Sequence, residues 1–392
     1  MWHLTLQEKR AFEQAHVLSI PETDQEWESD LANAMEEGID LLAERKEDLD
    51  DVRGRLLASI PERFYPYVLD GTFNTPQLPQ TVREDYINWV NEQTSVFEAV
   101  LDAAHESKQG ALPYLSHGAR EVYEQSLHDA QIVGIKRLNN QLTLHLDTKG
   151  GFSTKSVVIL SFTGIISEIG SIEVGQYYIY DEIIKTDAGI ALRVIFDCPE
   201  VEWTIEAKDL DAMFYYPPKT YYDFSGTEDF AGYAASLNIE HPHFLITPNI
   251  QSRIVDIRED APYLVLESGT LEQRVDGIYI GEELIAESFD RCISFVHTSI
   301  YEDPYAYFSE PVPMDELEAA ALSEILELQV RAWNTMYANP QGCKTIINRV
   351  LMRLRPTEDN EMMLYVYVRH FEKEGVLKEE TRTKYWDIIN ES

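Results

Sequence analysis

The chain has 392 residues, 44% of them hydrophobic and 11% aromatic, and carries 69 Asp plus Glu against 32 Lys plus Arg, a formal net charge of -37 at pH 7. Apolar content of that order supports compact cores, and the length predicts two or three domains rather than one. A surplus of one sign this large repels phosphate backbones and anionic headgroups, so basic partners are favoured while nucleic acid and membrane surfaces are not.

Residues 1–128 read as an acidic helical domain. Three Thr-x-x-Glu capping boxes, Thr5 with Glu8, Thr23 with Glu26 and Thr81 with Glu84, mark helix starts, the threonine oxygen accepting from a first-turn amide. From Trp27 a helical stripe through Leu31, Met35, Ile39, Leu42, Leu49, Val52 and Leu56 runs to Pro61. A further stripe joins Val82, Tyr86, Trp89, Val90, Phe97, Val100 and Ala104, after a turn at Asp70-Gly71 and a connector at Pro76-Gln77-Leu78-Pro79.

Near Ala130 the period changes from 3.6 to 2, with Leu142, Leu144 and Leu146 alternating with Thr143, His145 and Asp147 behind a turn at Asn139-Asn140. Further strands are expected over 156–163, 176–184, 189–196 and 200–207. Connections this short cannot serve parallel strands, so residues 129–213 are predicted to form an antiparallel, curled or barrel-like sheet. The Tyr- and Pro-rich stretch of 214–240 interrupts regular structure and reads as a linker or docking surface. A second small sheet is expected within 241–310, with strands at 244–247, 253–257, 263–267, 277–280 and 292–298. C-terminal helices follow in 311–392: a stripe from Met314 to Asn339-Pro340, another from Cys343 to Pro356, and two more over 358–373 and 378–390. The fold class is α+β.

The N-terminal residues run straight into Glu8, Lys9 and Arg10 without an apolar h-region, and no stretch approaches the roughly 18 apolar residues of a membrane-spanning helix. Cys198, Cys292 and Cys343 have neither paired nor metal-type spacing. These features predict a cytoplasmic protein whose three thiols are small core residues.

The strings Ser126-Leu127-His128-Asp129-Ala130, Gly150-Gly151-Phe152 and Asp70-Gly71-Thr72-Phe73-Asn74 resemble a bacterial family of unknown function, domain of unknown function 4085, over residues 1 to 215. That resemblance implies helices followed by strands and carries over no functional residue. More loosely, the helix-then-sheet order and the acidity are similar to immunity proteins of bacterial toxin systems, which cover a toxin's active surface.

Two groups of side chains carry candidate chemistry. His128, Asp129, His145 and Asp147 flank the first hairpin, and imidazole with carboxylate suits zinc or iron, as in a metal-dependent hydrolase. The competing reading has the His-Asp pair capping backbone groups and His145 facing solvent. Tyr215, Tyr216, Tyr221, Tyr222, Tyr301, Tyr305 and Tyr307, set among acids, suit either a partner interface or packing between domains. Gly150-Gly151 has neither a dinucleotide fingerprint nor a Walker lysine, and no Gly-x-Ser-x-Gly elbow occurs, so no cofactor is expected. The favoured function is a non-enzymatic acidic module that occludes a basic protein partner. The alternatives are the metal-dependent hydrolase and a structural or assembly module.

Overall fold

The computed structural model describes every residue except 1, 228, 239, 259–262, 358–359 and 391–392. The chain divides into two compact units, Met1–Tyr301 and Glu302–Ser392. The first combines helices with two sheets, the second is built of helices, and the α+β class expected from the sequence is the one observed.

Six helices open the first unit: α1 (Leu6–Ala15), α2 (Asp24–Glu37), α3 (Leu41–Ser59), α4 (Tyr65–Asp70), α5 (Gln80–Ala111) and α6 (His117–Tyr123). Thr5 and Thr23 cap as expected, accepting from the Glu8 and Glu26 amides. The third box does not form, because α5 starts behind Pro79 and places Thr81 inside its first turn; Glu84 instead accepts from Gln80 Nε2 at 2.8 Å. The stripe expected to continue from Trp27 to Pro61 is cut at Gly38, whose φ of 74° ends α2 in the left-handed region. Asp40 then caps α3 by accepting from the Ala43 amide. Phe64, Phe73 and Tyr86 meet edge to face in the core of this region.

The leucine alternation resolves into a closed antiparallel barrel of β1 (Ala130–Leu138), β2 (Gln141–Asp147), β3 (Val157–Ile169), β4 (Tyr177–Lys185), β5 (Ile190–Asp197) and β6 (Val201–Tyr215), in the order β1-β2-β3-β6-β5-β4. Leu142, Leu144 and Leu146 share its core with Phe162, Phe196 and Trp203, and α6 adds Ala119, Val122 and Tyr123. The last strand exceeds its expected end at 207. It pairs with β3 as far as Val157↔Tyr215, and Pro217-Pro218, which lack amide donors, stand just beyond its end.

Acidic side chains of the barrel dock the N-terminal segment. The fully buried Glu182 of β4 accepts from the His3 and Leu4 amides at 2.8 and 2.9 Å and from Ser107 Oγ of α5 at 3.3 Å. Glu202 accepts from the Leu6 amide, while Glu200 pairs with Lys9 and Arg10 at 2.9 and 2.7 Å. Phe12 of α1 then stacks on Phe97 of α5 at 4.8 Å.

After the barrel come α7 (Tyr221–Phe224), α8 (Phe230–Ser236), β7 (His243–Ile246), β8 (Gln251–Arg258), β9 (Tyr263–Leu266), β10 (Gly269–Arg274), β11 (Gly277–Ile280), β12 (Glu283–Ala286), α9 (Phe289–Ile293) and β13 (Val296–Thr298). The strands form one antiparallel sheet in the order β12-β11-β10-β9-β8-β7-β13. Strands β10 and β12 were not expected; each is short, and in β10 only Leu271 is buried. The strand expected over 292–298 instead begins as α9, capped by Ser288. Phe244 and Ile246 of β7 pack on Val157 and Ile159, on the outer face of the barrel.

The second unit contains α10 (Leu317–Ala321), α11 (Leu326–Ala338), α12 (Pro340–Arg353), α13 (Glu361–Lys373), α14 (Glu379–Lys384) and α15 (Trp386–Asn390). The helix expected to run from Met314 to Asn339 is broken, and between its two parts Ser323 Oγ accepts from the Ile325 amide, a local bond that competes with the helix. The start expected at 358 for the following helix lies outside the described residues. Buried Asn348 uses its amide fully, donating to the carbonyls of Lys344 and Val376 and accepting from the Lys378 amide and Thr381 Oγ.

Replacing Glu182 with alanine leaves the buried Leu4 amide, and the His3 amide beside it, without their acceptor, so Glu182→Ala is expected to lower the unfolding free energy of the first unit by ~3 kcal/mol. Hydrogen exchange would show the two amides losing protection together; unchanged protection would contradict this account.

Candidate functional site

The packing of α5 against β4 leaves an open groove of about 900 Å³, lined by Lys108 of α5, Ser126, His128, Phe152, and Tyr180 and Asp181 of β4. Three rings stand together there, with His128 5.8 Å from Phe152 and 5.7 Å from Tyr180, centroid to centroid. His128 Nδ1 lies 2.6 Å from the Ile179 carbonyl oxygen, which can only accept, so Nδ1 carries the proton. Its Nε2 lies 3.6 Å from Asp129 Oδ1. The Asp181 side chain is 10% exposed and accepts from Lys108 Nζ at 3.4 Å. Below it the phenols of Tyr123 and Tyr178 are pushed far above the ordinary range, chiefly by burial and next by the Asp181 charge.

Two of the sequence strings singled out above are in direct contact at this groove. A Cβ on Gly151 would lie 2.3 Å from the His128 carbonyl oxygen, so only glycine lets the Gly150-Gly151-Phe152 turn approach the Ser126–Ala130 segment. The third string is structural: Asp70 accepts from the Thr72 amide and hydroxyl, Phe73 is buried, and Asn74 donates to the Arg45 carbonyl. A family model described as "Protein of unknown function (DUF4085)" matches residues 6–207, just over half of the chain. The chain belongs to the DUF4085 family. Its matched span runs from the first residue of α1 into β6 and so takes in α1 to α6, most of the barrel and the groove. No curated protein and no solved structure matches the chain.

A second cleft of this DUF4085 protein, about 370 Å³, lies where β7 and β13 cover the barrel, and it is lined by His145, Asp147, Lys149, Ser156 and His297. The structure therefore separates the four candidate metal ligands: His128 lines the groove, while His145 and Asp147 line the cleft. Among the described residues no three His, Cys, Asp or Glu side chains cluster as a metal site. His145 does not face solvent as its alternation implied. It points out of the barrel but is only 6% exposed, because Pro248 packs over it, and a Cβ on Gly134 would lie 2.7 Å from that proline. Its Nδ1 makes no hydrogen bond among the described residues. His297, 3% exposed, shares a 2.8 Å bond with Ser156 Oγ through its Nδ1.

The tyrosines divide by environment. Tyr215 is buried and accepts from Gln251 Nε2 at 2.6 Å, and Tyr216 bridges to Thr298 and packs its ring against Tyr301 at 5.3 Å. Tyr221 and Tyr307 are half-buried, whereas Tyr222, Tyr301 and Tyr305 are exposed. Cys198 is also exposed, at the turn between β5 and β6, and so is not the core residue expected; Cys292 and Cys343 are buried. Sequence reasoning did not select Lys108, Ser156 or His297, because their grouping depends on α5 meeting β4 and on the second sheet meeting the barrel. Among the described residues no helix is long and apolar enough to cross a membrane.

Burial, and next the nearby Lys149 charge, push the His297 imidazole down to about 3, and burial likewise lowers His145. In the unfolded chain both take a proton near pH 6.5. Between those values the unfolded state binds more protons, so stability is complete above pH 6.5 and falls as pH drops toward 3. Asn keeps a partner for Ser156 but does not titrate, so His297→Asn is expected to reduce the slope of stability against pH between 6.5 and 4.5 by up to ~1.4 kcal/mol per pH unit. Denaturant titrations across that range measure it, and an unchanged slope would refute the assignment.

Proposed function

We propose that this DUF4085 protein is a non-enzymatic acidic module that binds and covers a basic protein partner. The observation that carries the reading is the charge of the α2–α3 hairpin: residues 22–51 hold thirteen acidic side chains against two basic ones. All but Asp30 are on exposed residues. Trp27 and Leu49 anchor the hairpin inward, while Met35, Ile39 and Leu42 stay exposed around its bend. A strongly acidic surface with apolar side chains at its centre suits a partner that is steered by charge and held by apolar contact. The exposed Tyr222, Tyr301 and Tyr305 belong to the same reading as secondary contacts. The absence of nucleic acid among the partners, and a place in the cytoplasm, are part of the proposal.

The test uses a fluorescent oligolysine peptide as a cationic probe and two variants of equal net charge. Replacing Glu36, Glu37 and Glu47 with glutamine and Asp48 with asparagine is expected to slow association about tenfold at low salt. Neutralising Asp187, Glu267, Glu283 and Glu287 in the same way is expected to change it about twofold or less, and raising salt should compress the difference as the screening length shortens to about 8 Å. Equal losses in the two variants would show that total charge rather than the hairpin attracts the probe, and would sink the reading.

A further inference from the structure

We propose that the groove between α5 and β4 receives an arginine side chain of the basic partner, its guanidinium stacked on Phe152 beside the rings of His128 and Tyr180 and paired with Asp181. The inference rests on the reading of the protein as an acidic binding module and names the chemistry of one contact within it.

Three observations meet at this site. Phe152 is 76% exposed at the tip of a glycine turn, so burial within this unit does not account for the ring. It stands 5.8 Å from His128, which stands 5.7 Å from Tyr180, so the groove presents π-surface from three residues. Asp181, its side chain nine-tenths buried, is met by Lys108 Nζ at 3.4 Å and interacts with the Tyr178 phenol, and two donors leave carboxylate lone pairs to fill from the groove.

Guanidinium answers all three. It is planar and stacks on aromatic faces, it is less strongly hydrated than ammonium, and its fork of donors fits a carboxylate with two parallel bonds. Lys108 fills one lone pair of Asp181 at 3.4 Å, and the arginine shares the remaining ones of that carboxylate with it. The formal charge of -37 places the whole surface in a field that draws cations in and keeps anions out. A lysine side chain would feel the same field, yet it has no planar face to stack and no fork for Asp181. Preference for arginine over lysine is therefore the signature of the groove, and salt-dependent attraction alone is the signature of the hairpin.

The test measures fluorescence anisotropy of the full chain with two labelled octapeptides, identical except that one carries four arginines and the other four lysines. The arginine peptide is expected to bind about tenfold more tightly. Phe152→Ala, at an exposed position that leaves the fold intact, should bring the arginine peptide to the affinity of the lysine peptide, and Asp181→Asn should weaken arginine selectively. The fourfold hairpin variant should weaken both peptides alike. Equal affinity of the two peptides for the wild type, or an arginine preference that persists in Phe152→Ala, overturns the groove assignment while leaving the acidic module standing. Failure of both peptides to bind at low salt overturns both.

Discussion

Carboxylates of the barrel that accept hydrogens from the N-terminal segment set the geometry of the first unit. Glu182 is the extreme case: a fully buried side chain whose acceptor oxygens meet two backbone amides and a serine hydroxyl. Burying such a group is unfavourable unless its lone pairs are filled, so the site accepts one docking of residues 3 and 4 and resists others. With those residues placed, α1 follows, Phe12 reaches Phe97, and α5 is held along β4. The groove is a consequence of that chain of contacts.

The outer surface of the barrel is used on two sides, and a glycine marks each close approach. On one side Gly151 lets the turn bearing Phe152 lie against the His128 carbonyl. On the other, Gly134 makes room for Pro248, which carries the second sheet over His145. A barrel strand that is apolar inside and polar outside has a solvated exterior by default. Here that exterior is covered, and the polar residues meant for water become the lining of clefts.

This explains which parts of the molecule were legible in the sequence. Leu142, Leu144 and Leu146 declare a strand by themselves, and short connections then require antiparallel neighbours, so the six-stranded sheet needed only local information. The covering of His145 depends on a proline more than a hundred residues away, and no local pattern records it. Helix breaks failed for a related reason: Gly38 and Ser323 interrupt stripes whose apolar spacing continues across them, because the spacing reports which face is buried and not whether the backbone is continuous. Strand β10 was missed because a single buried residue, Leu271, leaves no alternation to detect. Of the groove, His128 was selected for its chemistry, whereas Asp181 looked like one acid among many until the fold buried it.

The acids of this protein therefore do two different things. Glu182, Glu200 and Glu202 are filled by the protein's own donors, while the carboxylates of the α2–α3 hairpin face solvent with few cations near them. Charges of one sign along a hairpin repel one another, and that repulsion weakens as salt is added. The packing of Trp27, Leu49 and Leu56 does not depend on salt in this way. Added salt consequently makes the hairpin more stable at the same time as it weakens any attraction to a cation. The two effects have opposite signs, so a loss of binding with rising ionic strength cannot come from melting of the surface that binds.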